Sequence, residues 1–102
     1  MQELQVNKEN CFSVLMAVYK KEQPLFFKEA LRSVFEQSLI PNEVVLVKDG
    51  PLTEELEQII VDFSSKNEQL KVITLEKNQG LGEALRIGLN ACSFDLVARM
   101  DS

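Results

Sequence analysis

The chain has 102 residues, 45% apolar and 26% charged, with a formal net charge of −5 at pH 7. That is the composition of one ordinary globular domain with a single core. The acidic balance and the absence of any Lys/Arg-rich stretch disfavour a nucleic-acid partner, which is held through clustered cations. No apolar run approaches the roughly 20 residues that cross a bilayer. The N-terminal MQELQVNKEN lacks a signal-peptide core, so a cytoplasmic location is the default expectation.

Histidine is absent, which removes the commonest general base and the commonest zinc ligand. Cys11 and Cys92 match no metal spacing and read as reduced, partly buried thiols. Chemistry here has to run on carboxylates, backbone amides and a hard metal ion.

Residues 1–11 read as a polar lead-in and 12–102 as the domain. Phe12 to Val18 is a short, nearly continuous apolar run, the pattern of a strand buried on both faces. Pro24 suits a first helical turn. Phe27, Leu31, Val34 and Phe35 follow at the spacing of an amphipathic helix, and Pro41-Asn42 ends it. Val44 to Val47 is a second buried strand, closed by the turn signal Asp49-Gly50-Pro51. Thr53 is placed to cap a helix whose early Glu54, Glu55 and Glu57 suit its positive end. Its buried stripe is Leu56, Ile59, Ile60 and Phe63.

Leu70 to Leu75 is a third strand. Asn78-Gln79-Gly80 turns into a helix with Leu81, Leu85, Gly88, Leu89 and Cys92 on the expected inner face, where Gly88 permits close approach to a sheet. Residues 95–100 form the fourth strand. The order βαβαβαβ, with connections too long for hairpins, predicts a parallel α/β sheet with helices on both faces.

In such a sheet ligands bind outside the carboxyl ends of the strands. The residues placed there are Tyr19-Lys20, Lys48-Asp49-Gly50, Glu76-Lys77-Asn78 and Arg99-Met100-Asp101. Taken singly, each has an ordinary reading as a turn, cap, strand end or surface pair. Together on one edge they suit a nucleotide. Asp49 can accept a ring N–H of a base, Tyr19 offers an aromatic surface, and Asp101 can hold Mg²⁺ or Mn²⁺ against a diphosphate. Gly80-Leu81-Gly82 follows the third strand rather than the first, and Leu85 stands where the last glycine belongs, so it is no dinucleotide fingerprint. As a turn residue outside the core, Asp49 is expected to be replaceable by alanine without loss of the fold.

The segments FSVLMAVYKKE, EVVLVKDGP, LEKNQGLGEALRIGL and DLVARMDS resemble, in order and spacing, the inverting glycosyltransferases of family 2. The resemblance runs from about Phe12 onward. It implies a GT-A fold with strand order 3-2-1-4 and transfer of a sugar from a nucleoside-diphosphate sugar to an acceptor hydroxyl. It further implies a saccharide or lipid-linked acceptor and a divalent metal, Mg²⁺ or Mn²⁺. Ala17, Val18 and Tyr19 match the segment lining base and ribose, Asp49 the base contact, and Asp101 the first aspartate of the D-x-D metal site.

Members usually follow MDS with two more aspartates, so the 102 residues resemble a donor-nucleotide half that holds one of the pair. The catalytic base of the family lies further downstream, leaving no catalytic residue here and an expectation of inactivity. Lys48 stands where many members carry an aspartate, and Leu85-Arg86 where Arg-Asn is common. The strand order also implies that residues 95–100 lie at an open edge, from which pairing into a homodimer is expected. The alternative is a receiver-like or flavodoxin-like binding module. A receiver needs acids after its first strand and an aspartate ending its third, whereas these places hold Tyr19-Lys20 and Glu76-Lys77. A nucleotidyltransferase needs a glycine-rich basic loop after the first strand, which AVYKKEQP does not supply.

Overall fold

The computed structural model describes residues 11–100. The predicted lead-in over its first ten residues, and Asp101, lie outside the described residues. The elements are β1 (Ser13–Val18), α1 (Pro24–Glu36), β2 (Glu43–Lys48), α2 (Glu54–Lys66), β3 (Leu70–Thr74), α3 (Leu81–Ala91) and β4 (Val97–Arg99). All strands pair in parallel, in the order β3-β2-β1-β4. The expected fold class and strand order are both observed.

Alternation along the two central strands sends side chains to opposite faces, and two cores result. On one face Val14, Met16, Val18, Val44 and Leu46 meet Phe27, Leu31 and Val34 of α1 and Leu56 and Ile60 of α2. On the other, Leu15, Val45 and Val47 meet Ala84, Leu85 and Cys92 of α3. Pro24 opens α1 at its first turn, and Thr53 caps α2 by accepting the Leu56 N–H at 3.2 Å. Both expected starts hold.

Two expectations need correction. The inner face of α3 was expected to carry Leu81 and Leu89, yet they are 55% and 52% exposed. Gly88 makes the expected close approach, and with Ala84 one turn earlier it sets the contact line. A Cβ at Gly88 would sit 2.4 Å from Leu15 Cδ1 and 2.8 Å from Val47 Cγ2. The helix therefore rests on the sheet through its missing side chain. Leu89 is turned about 100° away from it, and Leu81 overhangs the carboxyl edge. The fourth strand is also shorter than the expected 95–100. Pairing reaches from the Leu96 carbonyl, which accepts Ser13 N–H, to Met100 N–H, which donates to Leu15. Being at the edge, it leaves Leu96, Ala98 and Arg99 exposed.

Candidate functional site at the carboxyl edge

A cleft of about 510 Å³ opens at the carboxyl ends of the strands. Four of the five predicted site residues line it: Ala17, Val18 and Tyr19 at the end of β1, and Asp49 after β2. The fifth, Asp101, lies outside the described residues, although Arg99 and Met100 just before it are in the wall. Asn78 and Gly80 contribute the opposite lip. Glu22, Leu81 and Leu85 also line it and were not foreseen. Leu81 and Leu85 were assigned to packing because helical spacing alone does not show where a helix overruns its sheet.

Asp49 is the hub. Its backbone N–H continues the sheet by donating to the Val18 carbonyl at 2.8 Å. Its side chain crosses to the loop before α3. There Oδ1 accepts the Gln79 N–H at 2.7 Å, while Oδ2 accepts the Gly80 N–H at 3.1 Å and Asn78 Nδ2 at 3.2 Å. Asn78 Nδ2 also donates to the Asp49 carbonyl at 3.2 Å. Asn78 is therefore no conventional cap. The acid that answers the N-terminal N–H groups of α3 comes from β2, some 30 residues earlier.

Gly50 makes the approach possible. Its φ of +91° is a glycine conformation, and a Cβ there would lie 2.6 Å from Asn78 N. Contrary to expectation, Asp49 does not lie outside the core: it is 5% exposed, and its carboxylate accepts three hydrogen bonds.

Of the residues flagged as departures, Lys48 points to α2, where Nζ pairs with Glu57 Oε1 at 2.8 Å. Arg86 lies on the outer face of α3 and binds Glu83 through Nε at 3.0 Å and Nη2 at 2.6 Å. Neither lines the cleft.

A second buried carboxylate occupies the opposite edge and was not foreseen. Glu43, at the start of β2, is 2% exposed. It accepts Ser13 Oγ at 2.7 Å, Ser93 N–H at 2.7 Å, Ser93 Oγ at 2.9 Å, and the Lys71 ammonium. Burial works to raise its carboxyl, but the donors from Lys71, Ser13 and Ser93 outweigh that and bring it to about 2. The adjacent Cys92 thiol is pushed up by burial and by the Glu43 charge. Cys11 and Cys92 are both unbridged.

Among the described residues no group of three His, Cys, Asp or Glu is placed to hold a metal, and no helix is long and apolar enough to cross a membrane. A parallel sheet with helices on both faces and a cleft at its carboxyl edge defines the chain as a doubly wound α/β domain. The chain belongs to glycosyl transferase family 2, whose family model matches residues 13–102. With that assignment the receiver-like and flavodoxin-like alternative falls. Similar proteins include an Escherichia coli UDP-Gal:alpha-D-GlcNAc-diphosphoundecaprenol beta-1,3-galactosyltransferase, 50% identical over 91 residues, 89% of this chain and 33% of that protein.

Solved structures bear the same GT-A fold. S. aureus TarS 1-349 in complex with UDP superposes with a TM-score of 0.73 at 30% identity, over 90% of this chain and 27% of that one. A Pyrobaculum calidifontis mannosyltransferase in complex with GDP-Man and Mn²⁺ shares the fold with a TM-score of 0.70 at 23% identity, covering 84% of this chain and 25% of that one. The chain thus spans about a third of the length of the curated relatives it matches.

Proposed function

We propose that the edge cleft is the donor-nucleotide site of an inverting glycosyltransferase, which moves a sugar from a nucleoside-diphosphate sugar to the hydroxyl of a saccharide or lipid-linked acceptor. The observation that carries this reading is the convergence of Ala17, Val18, Tyr19 and Asp49 on one cleft in a family 2 chain. The UDP-Gal of the E. coli relative and the UDP bound to TarS support it. In this reading the end of β1 lines base and ribose. Asp49 Oδ1, which takes one N–H in the structure, keeps a lone pair for a ring N–H of the base.

The proposed metal, Mg²⁺ or Mn²⁺, would neutralise charge on the diphosphate leaving group when bound. Asp49 is a poor ligand for it, because both its oxygens are committed to N–H donors. The role falls to Asp101, beyond Met100 in the cleft wall, and hard cations need further oxygens besides one carboxylate. The acceptor's proton needs a carboxylate base, and none in this chain is assigned that role. Residues 1–102 are therefore expected to bind donor nucleotide without transferring sugar. A cytoplasmic location fits this donor and the two unbridged thiols.

The test is a titration of the chain with UDP, followed by amide shifts. Shifts gathered at Tyr19, Asp49, Leu81 and Met100 are expected. Shifts gathered elsewhere, or none, overturn the site. Turnover of a nucleoside-diphosphate sugar onto an acceptor by these residues alone would overturn the inactivity.

A further inference from the structure

We propose that Arg99 is the residue that grips the donor's diphosphate, a role that rests on the nucleotide reading of the cleft. The usual place for phosphate in an α/β fold is the N-terminus of a helix, where free N–H groups and the dipole meet an anion. At α3 that place is taken. The Asp49 carboxylate accepts Gln79 N–H at 2.7 Å and Gly80 N–H at 3.1 Å, so a second anion there would face a carboxylate.

Nor does α3 supply a cation. Arg86 is turned outward onto Glu83, and the neighbouring position that does line the cleft is Leu85. Lys48 points to Glu57 on α2 and does not line the cleft. Among the described residues lining the cleft, Arg99 is the one basic side chain, against the acids Glu22 and Asp49. The other described lining residues are neutral, so Arg99 is the one positive side chain among them that a dianionic group entering this cleft can meet.

The position on β4 suits the task. Arg99 pairs in register with Leu15, whose side chain lies on the α3 face of the sheet. Arg99 therefore rises on the side where Leu81 and Leu85 form the facing wall. Its planar guanidinium can bind two phosphate oxygens at once, which a lysine cannot reproduce. In the sequence Arg99 precedes Asp101, the proposed metal ligand, by two positions.

The decisive comparison is between UDP and uridine, binding to wild type, Arg99→Gln and Arg99→Lys. Wild type is expected to prefer UDP. Arg99→Gln should lose about tenfold or more in UDP affinity, the usual worth of a hydrogen bond to a charged group, with uridine affinity unchanged. Arg99→Lys should recover part of the UDP affinity. Equal loss for both ligands would make Arg99 a shaping residue of the cleft and overturn the proposal, as would no loss for either. Wild type that binds uridine and UDP equally overturns the Arg99 role while leaving the nucleotide site standing. Wild type that binds neither overturns the nucleotide reading itself.

Discussion

The two ends of β2 carry the same device in different settings. At the amino end, Glu43 reaches Ser93 just after α3. Beyond the carboxyl end, Asp49 reaches Gln79 and Gly80 just before it. Each carboxylate is buried and accepts several donors, and each ties the same helix to the same strand. Glu43 closes the amino edge of the sheet, whereas Asp49 forms part of the wall of the cleft at the carboxyl edge. The strongly lowered carboxyl of Glu43 thus belongs to a clasp between helix and strand. A shifted pKa marks a dense set of donors, which an active site and a clasp can both provide.

Removing Glu43 should have the largest effect. Glu43→Ala strands buried partners of a charge and is expected to cost about 3–5 kcal/mol in chemical denaturation. The acid limb gives a finer test. Because the folded carboxyl lies at about 2, below its ordinary 4.5, the charged form favours the fold. Its contribution, about 3 kcal/mol, is complete above the ordinary value and fades as pH drops towards 2. Glu43→Gln should flatten the stability profile across that window. An unchanged profile would assign the clasp no electrostatic share.

Asp49→Ala comes next. It frees two N–H groups and one amide at the mouth of an open cleft, so the cost should be smaller, about 1–3 kcal/mol. It should also weaken UDP and uridine alike, since it removes the base contact and loosens the lip that Asn78 and Gly80 form. A variant as stable as wild type would show that the cleft-side clasp is idle. The smallest effect concerns association. The open edge of β4 is proposed to pair antiparallel with a second copy. Val97→Lys should shift sedimentation towards monomer at high micromolar concentration, and a wild type that is monomeric there would end the idea.

The strand-end logic made the cleft legible, because parallel topology alone fixes which loops meet, and Ala17, Val18, Tyr19 and Asp49 do meet. Clasps between remote residues were not legible. Glu43 finds Ser93 across 50 positions, and nothing in the local pattern of Glu43-Val44-Val45 distinguishes a clasp from a strand-end charge. The face of α3 was misread for a related reason. The close approach at Gly88 was legible, but Ala84, the other buried residue of the helix, carries too weak a hydrophobic signal to set the face. Periodicity counted leucines and so placed Leu81 and Leu89 inward.

With both its ends fastened to one strand, α3 works as a rung of fixed length. Glu43 and Asp49 stand about 20 Å apart along β2 at strand rise, and the 11 residues of α3 cover most of that distance at about 1.5 Å each. One residue inserted in the helix would move one fastening by a single rise and swing it by about 100°, out of reach of its acid. Gly88 would leave its seat as well. The connection between α2 and β3 has no such double registration. Homologous sequences should therefore vary freely in length around Asn67 and hold the spacing from Gly80 to Ser93 constant, so that a gap placed inside that interval of an alignment signals an alignment error.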